Sequence, residues 1–289
     1  MPAAGMAEIV GPAAAAGRGV GAFNVIGIEL AEAIVAGAET AAAPVVLQIS
    51  QNCVAYHGAL APLARACAAI AGSATVPVAL HLDHTTGTEL VAEAAGLGFG
   101  SVMYDASALP YGQNVRATAG AARWCHERGI WVEAELGEIG GKDGVHSPEA
   151  RTDPGEAARY VDATGVDALA VAVGSSHAML TRDAVLDTAL IARIHGAVSV
   201  PLVLHGSSGV PDAALAAAVG AGMTKINVAT QLNKAFTAAV RACLAADATL
   251  VDPRRYGAAG REAVAAEVTR LLSVIGAGMP GRDESPGRP

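Results

Sequence analysis

Eight short apolar runs recur along the chain and alternate with Ala-rich segments that have helical periodicity. Near-continuous apolar runs are typical of strands that are buried on both faces, as in a parallel sheet. The predicted strands cover residues 20–25, 44–50, 76–84, 101–107, 131–137, 168–174, 201–207 and 223–230. The predicted helices cover residues 28–41, 58–71, 87–98, 112–128, 154–164, 183–196, 211–221, 231–246 and about 257–275.

The order of these elements indicates the fold. Eight successive strand–helix units favour an α/β fold of the closed (β/α)8 TIM-barrel type over an open doubly wound sheet, and 289 residues is an ordinary length for one such barrel. We therefore expect a single barrel domain over residues 1–275 that ends in a C-terminal helix. Residues 276–289 are rich in Gly, Pro and charge, which predicts a flexible tail.

Composition narrows the class of protein. Aromatic residues make up only 3% of the chain, so its core must be built from Ala, Val, Leu and Ile. The net charge of −8 argues against nucleic acid or an anionic membrane as a partner. No apolar stretch is long enough to predict a membrane span. The cysteines show no CxxC spacing and predict free thiols in a reducing compartment, so we expect a cytoplasmic protein.

Polar residues repeatedly follow the predicted strands, at the end of a barrel where enzymes carry their chemistry. His84, His177 and His205 end or follow strands three, six and seven. Three imidazoles and an open position make a catalytic zinc site, although cobalt or iron would also fit. His81 is interpreted as a supporting residue. The histidines in predicted helices or loops are interpreted as structural: His57, His126, His146 and His195.

Carboxylates accompany these histidines. Asp83 lies beside His84, where it could support the metal site or act as a general acid or base. Asp105 and Glu135 either form a second metal position or pair with Lys225 or Arg116, because buried carboxylates need a partner. Lys225 is also a candidate for a Schiff base, but that role would leave the histidines unexplained.

Two stretches have the features of phosphate sites. Residues 205–209 (HGSSG) and 227–230 (NVAT) follow strands seven and eight and open the next helices. Barrel enzymes often bind phosphate there, because small residues let backbone N–H groups and a helix N-terminus approach the anion. Residues 137–147 follow strand five and predict either a surface loop or a lid that carries an acid or base.

Several of these segments together resemble one enzyme family. From about Gly19 to Tyr256, these segments follow one another in the same order as in the class II fructose-bisphosphate and tagatose-bisphosphate aldolases, which the chain resembles. The segments that carry this resemblance are HLDH at 81–84, GFGSVMYDAS at 98–107, LPYGQNV at 109–115, VEAELG at 132–137, TGVDALAVAVGSSH at 164–177, PLVLHGSSGVP at 201–211 and TKINVAT at 224–230.

The resemblance implies a metal site and its acid or base. It implies that His84, His177 and His205 bind zinc and that Asp83 is the acid or base at the C4 hydroxyl. The positions of Asp105 and Glu135 hold a second, buried divalent metal in some members.

The resemblance also implies substrate contacts. Gly206, Ser208, Asn227 and Thr230 match the site of the C1 phosphate, to which we add the neighbouring Ser207 and Ala229. Asn24 and Ser50 match positions that contact substrate, and Gly174 and Gly206 lie near a Na⁺ or K⁺ ion in some relatives. Arg254 matches an arginine that binds the distal phosphate, in some members across a subunit interface. Such enzymes are commonly homodimers or homotetramers.

The implied reaction is the reversible cleavage of fructose 1,6-bisphosphate to dihydroxyacetone phosphate and glyceraldehyde 3-phosphate. Two departures bear on it. The loop reads Gly140-Gly141-Lys142-Asp143-Gly144, where relatives usually have a Glu, so Asp143 either replaces that acid or is its neighbour. Ala229 is typical of tagatose-type members, which keeps tagatose 1,6-bisphosphate or a related phosphoketose open as the substrate. The more remote alternatives are a zinc hydrolase on the same barrel and a metal-binding subunit without activity.

Overall fold

Parallel strands form a closed barrel in the computed structural model, which describes residues 3–136, 151–176 and 181–276. The strands follow one another around the barrel in chain order, and the last pairs with the first. The predicted (β/α)8 TIM barrel is therefore confirmed. The strands are β1 Val20–Asn24, β2 Val45–Ser50, β3 Val78–Thr85, β4 Ser101–Tyr104, β5 Trp131–Glu135, β6 Ala168–Ala170, β7 Leu202–Leu204 and β8 Met223–Val228.

Helices follow the strands on the outside of the barrel. They are α1 Met6–Ala15, α2 Ile28–Thr40, α3 Gln51–His57, α4 Ala61–Ser73, α5 Thr88–Gly96, α6 Tyr111–His126, α7 Pro154–Thr164, α8 Thr188–Ala197, α9 Asp212–Gly220, α10 Thr230–Ala246 and α11 Pro253–Gly276. A single 3₁₀ turn, Ser207–Gly209, lies between β7 and α9.

Three strands end earlier than their apolar runs predict. β4 ends at Tyr104, β6 at Ala170 and β7 at Leu204, three or four residues before the predicted ends at 107, 174 and 207. Pairing weakens gradually there, since the Val171 N–H still reaches the Val203 carbonyl at 3.4 Å. The residues beyond these points leave the sheet ladder and turn toward the mouth of the barrel, where the candidate site lies.

Helix α1 was not predicted, because Gly and Pro interrupt its Ala-rich sequence. Its buried residues are Met6, Ile9, Val10 and Ala13, an i, i+3, i+4, i+7 pattern that marks one face of a helix. These side chains pack in one cluster with residues of β1, β2 and β3 and close the N-terminal end of the barrel. The Ala4 N–H donates to the Val78 carbonyl at 2.8 Å and fixes the start of this segment.

Other helix boundaries differ from prediction for local reasons. The predicted helix 58–71 is α4, which begins only at Ala61, because Gly58 ends the preceding, unpredicted helix α3 in a left-handed conformation, φ 76°. Helix α8 begins five residues after the predicted 183, where Asp187 caps it by accepting from the Leu190 N–H at 2.8 Å. Helix α11 begins at Pro253, four residues before the predicted 257, because proline is well tolerated in the first turn.

The inside of the barrel is apolar toward the N-terminal ends of the strands and polar toward their C-terminal ends. Small side chains occupy much of the apolar part, including Ala22, Ala79 and Ala168, which are fully buried or nearly so. This leaves room for two large charged side chains, Glu133 and Lys225, which are also fully buried. Within the described ranges, no single helix is long and apolar enough to cross a membrane, although the bent pair α3 and α4 together meets the length and composition criterion.

Candidate active site

A pocket opens at the C-terminal end of the barrel, where the ends of five strands meet. It includes most of the residues that the sequence predicts for substrate and metal binding, and Asn52 in addition. Its lining is Asn24, Ser50, Asn52, Asp83, His84, His205, Gly206, Ser207, Ser208, Asn227, Ala229 and Thr230.

Two of the three predicted metal-binding histidines face each other in this pocket. His84 Nε2 and His205 Nδ1 lie 2.9 Å apart, and their rings are T-shaped with centroids 4.6 Å apart. Two nitrogens that bind one tetrahedral zinc at 2.0–2.1 Å would lie roughly 3.3 Å apart. The observed separation is therefore close to that of two ligands of a single cation.

Each of these rings is held from behind by a carboxylate. His84 Nδ1 lies 2.9 Å from Asp105 Oδ2, and His205 Nε2 lies 2.8 Å from Glu133 Oε1. A metal-binding histidine typically donates its second ring N–H to a carboxylate, which leaves the first nitrogen as a lone pair for the cation. If both rings donate in this way, two lone pairs face each other, and a cation or a shared proton must lie between them.

His84 has an uncommon backbone conformation. Its φ is 50°, in the left-handed region, which few residues other than Gly adopt, although His is enriched there with Asn and Asp. The register between β3 and β4 shifts between Leu82 and Thr85, around this residue. Such strain often concentrates at functional sites. Here it breaks the strand alternation, so that the adjacent side chains Asp83 and His84 both reach the pocket.

Asp83 lies beside the histidine pair and is clamped by two amides. Asn24 Nδ2 donates to its Oδ2 at 3.3 Å, and Asn227 Nδ2 donates to its Oδ1 at 3.4 Å. Burial acts to raise the pKa of this carboxyl, but nearby His84 and His205, among other groups, outweigh it, so the pKa lies below its ordinary value. Asp83 is therefore an ionised carboxylate, the form that can accept a proton.

A second cluster combines the other two carboxylates with one histidine. Ligand atoms of His84, Asp105 and Glu135 all lie within 4.8 Å of one another, an arrangement that could hold a metal ion. The sequence also allowed Asp105 or Glu135 to pair with Lys225. In the structure, the Lys225 ammonium pairs with a different carboxylate, Glu133, at 2.8 Å. Asp105 already contacts His84 and the Ser107 hydroxyl, the latter at 2.6 Å.

His81 is a buried neighbour of this cluster. Its Nδ1 lies 2.7 Å from the Ser101 hydroxyl, and burial, followed by the charge of Lys225, lowers its pKa well below the usual value. It is therefore neutral at neutral pH, and its interpretation as a supporting residue stays a prediction.

The turn after β7 has the form of an anion site. Gly206 has φ 66°, and a Cβ there would lie 2.7 Å from the Ser176 carbonyl carbon. The Ser207 hydroxyl donates to the Asn227 carbonyl, which ties the turn to the end of β8. The Ser208 hydroxyl is buried and has no hydrogen-bond partner among the described residues. A buried hydroxyl without a partner beside a helix N-terminus fits a bound phosphate.

Several predicted residues are not in this pocket or cannot be placed. His177, Asp143 and His146 lie outside the described residues. Gly174 adopts φ 107° close to the Val185 carbonyl but does not line the pocket. Arg254 is at the start of α11, where its side chain is 89% exposed and pairs with Asp252 at 2.8 Å.

The other described histidines have structural partners. His57 Nε2 lies 2.7 Å from the Ile26 carbonyl, and His126 Nε2 lies 2.9 Å from Asp167. The ring of His195 packs against the backbone of Gly222. Their interpretation as structural residues agrees with these contacts.

The comparison with known proteins identifies the family. A family model described as fructose-bisphosphate aldolase class-II matches residues 4–278. The chain belongs to the class II fructose-bisphosphate aldolase family. It is therefore an aldolase, a carbon–carbon lyase, and the predicted resemblance is confirmed. Members of this family act on phosphorylated sugars and generally use zinc.

Two similar proteins extend across almost the whole aldolase. A fructose-bisphosphate aldolase from Geobacillus stearothermophilus is 38% identical over 275 residues, which is 94% of this chain and 96% of that protein. The solved structure of the YdjI aldolase from Escherichia coli K12 is 32% identical with a TM-score of 0.84, and the match covers 96% of this chain and 98% of that one.

Four residues of the site were not among those predicted to bind metal or substrate, although Lys225 was a candidate for a Schiff base. Asn52 lines the pocket on α3, a helix that the apolar pattern missed. Gln48, Glu133 and Lys225 lie beneath it and contact the predicted residues. The signal for the last three was a polar residue at an inward position of an otherwise apolar strand. The partner of Glu133 is on a strand that does not pair with its own, whereas Gln48 contacts the neighbouring strand and Lys225 contacts Asn227 of the same strand.

Proposed function

We propose that this aldolase reversibly cleaves fructose 1,6-bisphosphate to dihydroxyacetone phosphate and glyceraldehyde 3-phosphate, and that it requires zinc. The observation that carries the proposal is the pair His84 Nε2 and His205 Nδ1, 2.9 Å apart, with both outer ring nitrogens on carboxylates. Nitrogen donors at this spacing suit zinc. The third ligand would be His177, as the family resemblance implies.

The cation, when bound, would stabilise the negative charge that develops on the substrate oxygens as the carbon–carbon bond breaks. Asp83 would take the proton from the C4 hydroxyl, a role that its ionised state and its position beside the histidines support. Asp143 would return a proton to the substrate carbon. Asp105 and Glu135 would form a second divalent position.

Substrate binding would use the two turns at the ends of β7 and β8. Gly206, Ser207, Ser208 and Thr230 would surround the C1 phosphate, supported by the buried hydroxyl of Ser208 that lacks a described partner. Asn227 and Ala229 line the pocket beside them and would complete the phosphate site. The remaining contacts follow the family resemblance: Asn24 and Ser50 on the rest of the substrate, Arg254 on the distal phosphate from a second subunit of a homodimer or homotetramer, and Gly174 with Gly206 near a Na⁺ or K⁺ ion. A single domain over 1–275 and a cytoplasmic location stay predictions.

A Schiff-base mechanism through Lys225 has less support. The side chain is fully buried, pairs with Glu133 and donates to Asn227 Oδ1 at 2.8 Å. It does not line the pocket, so its nitrogen lacks access to a substrate carbonyl.

Chelation tests the zinc requirement. The protein is dialysed against a chelator, assayed for release of dihydroxyacetone phosphate, and assayed again after zinc is added. We expect activity to be lost and then restored, and borohydride with substrate to trap no adduct. Full activity in metal-free protein, or a trapped adduct, would contradict the proposal.

Tagatose 1,6-bisphosphate is a second candidate substrate. Ala229 lines the pocket where fructose-type members often have an Asp, which favours this alternative. The comparison of kcat/KM for fructose 1,6-bisphosphate, tagatose 1,6-bisphosphate and a ketose 1-phosphate separates the candidates. A preference of about tenfold or more for one of them would assign the substrate, since that ratio corresponds to about 1.4 kcal/mol of transition-state binding.

A further inference from the structure

A buried ion pair spans the inside of the barrel beneath the two histidines. Lys225 Nζ and Glu133 Oε2 lie 2.8 Å apart, and both side chains have 0% exposure. Lys225 is on β8 and Glu133 is on β5, strands that are not neighbours in the sheet. An ion pair taken fully out of water rarely stabilises a fold more than apolar side chains of the same size would. Its presence here therefore asks for another explanation.

Each member of the pair also holds one residue of the pocket. The second oxygen of Glu133, Oε1, lies 2.8 Å from His205 Nε2. The Lys225 ammonium also donates to Asn227 Oδ1, at 2.8 Å. The ion pair thus joins a predicted metal ligand and an amide that contacts Asp83.

The chemistry of these partners determines which atoms face the pocket. A carboxylate only accepts hydrogen bonds, so His205 Nε2 must carry the hydrogen, and Nδ1 then presents a lone pair toward His84. An ammonium only donates, so the oxygen of Asn227 must face Lys225. The NH₂ group of Asn227 is then left to face Asp83 Oδ1, at 3.4 Å, and the ring of His205, whose Nδ1 lies 3.4 Å and whose Nε2 lies 3.2 Å from the amide nitrogen.

We propose that Lys225 and Glu133 are positioning residues that together set the tautomer of His205 and the orientation of the Asn227 amide. This inference rests on the proposed function, since it assigns a purpose to the lone pair of His205. Neither residue touches the substrate. Without them, His205 can take the tautomer that places hydrogen on Nδ1, and Asn227 can turn its oxygen toward the Asp83 carboxylate.

The test compares the single variants Glu133→Met and Lys225→Met with the double variant that carries both. The single variants leave one buried group without its partner and can fail to fold. The double variant removes both charges and keeps similar volume, so it should keep the unfolding free energy near that of wild type. As a matched control, Glu32→Met with Arg261→Met removes an ion pair between α2 and α11 on the outside of the barrel, and neither residue lines the pocket.

Three properties are measured on each folded variant: zinc affinity by competition with a chromophoric chelator, the visible absorption spectrum of the cobalt-substituted protein, and kcat and KM for fructose 1,6-bisphosphate. We expect the double variant to bind zinc about 10–100-fold more weakly and to show an altered cobalt spectrum, because the residue behind a metal-binding histidine orients it. We also expect kcat to fall with little change in KM. The control pair should match wild type in all three.

The outcomes separate this inference from the proposed function. A double variant with wild-type zinc affinity, cobalt spectrum and kcat would overturn the inference alone and leave the ion pair a structural element. A wild-type protein that binds no zinc would overturn the proposed function, and this inference with it.

Discussion

Replacement of Gly206 by alanine tests the phosphate turn. Gly206 begins the 3₁₀ turn after β7 with φ 66°, and an added Cβ would lie 2.7–2.9 Å from three backbone atoms of Ser176. Two separate costs follow. One is the left-handed conformation of a residue with a Cβ, and the other is the collision with a neighbouring backbone that cannot rotate away.

Gly129 provides a control in which only the first cost applies. Its φ is 69°, almost equal to that of Gly206, and a Cβ added there would meet no atom within 4 Å beyond its chain neighbours. The conformation should cost about 1–2 kcal/mol in both variants. At Gly206, the added Cβ would lie 2.7 Å from the Ser176 carbonyl carbon, whereas an ordinary contact is 3.4 Å. One of the two segments must therefore move by roughly 0.7 Å, which adds about 1–3 kcal/mol by analogy with overpacked cores.

Urea unfolding measures the stability difference, and steady-state kinetics measures its consequence for substrate binding. We expect Gly206→Ala to be less stable than Gly129→Ala by about 1–3 kcal/mol at an unchanged m-value. We also expect its KM for fructose 1,6-bisphosphate to rise about 10–100-fold, because hydrogen bonds to a charged group contribute about 1.5–3 kcal/mol each. Gly129 lies between α6 and β5, at the opposite end of the barrel, so its variant should keep the wild-type KM. Equal unfolding free energies and equal KM values for the two variants would refute this reasoning.

Three further predictions concern other parts of the molecule. Asp83→Ala should lower kcat by about 10²–10⁴ while zinc binding persists, as measured by kinetics and metal analysis; an unchanged kcat would show that Asp83 is not the acid or base. Asp212 has a lowered pKa because hydrogen bonds and charge from Arg182 and Arg270 outweigh the effect of burial. Its contribution to stability should therefore be present above the unfolded pKa of about 3.9 and disappear as the pH falls through the lower folded pKa. In urea titrations, Asp212→Asn should cost about 0.2–1 kcal/mol at pH 7, and this cost should shrink as the pH falls below the unfolded pKa. Tyr160→Phe removes a buried hydroxyl with hydrogen bonds of 2.6 and 3.0 Å and should cost about 1–3 kcal/mol in the same assay, whereas a loss below about 0.5 kcal/mol would show that these bonds contribute little.

The barrel could be predicted because the same sequence pattern, an apolar run followed by a helical segment, is repeated along the chain. Each strand gives an apolar run, and eight such runs alternate with helical segments in a single order. The N-terminal helix α1 gave a clear face of Met6, Ile9, Val10 and Ala13, but Gly11 and Pro12 interrupt it. Its helical structure depends on packing against the open end of the barrel, which local propensity does not describe.

The residues of the site could be predicted where they follow the C-terminal end of a strand. His84, His205 and Asp83 follow that rule, and the structure brings them together in one pocket. The left-handed conformation of His84 was not predictable, because no local signal distinguishes it from an ordinary strand residue. It results from the register shift between β3 and β4, which is a property of the closed sheet.

The residues beneath the pocket could not be predicted for a different reason. Glu133 and Lys225 are far apart in the chain and on strands that do not pair, so their contact depends on closure of the barrel. From sequence, Lys225 was equally a partner for Asp105 or Glu135. The choice of Glu133 depends on which inward positions of β5 and β8 lie at the same depth in the barrel.

The most direct test of this account is a crystal structure of the zinc-loaded aldolase, with anomalous scattering recorded at the zinc edge. The account predicts one zinc at about 2.0–2.1 Å from His84 Nε2 and His205 Nδ1, with His177 as a third ligand. Zinc bound at another place, or the two rings turned away from each other with zinc supplied, would contradict it.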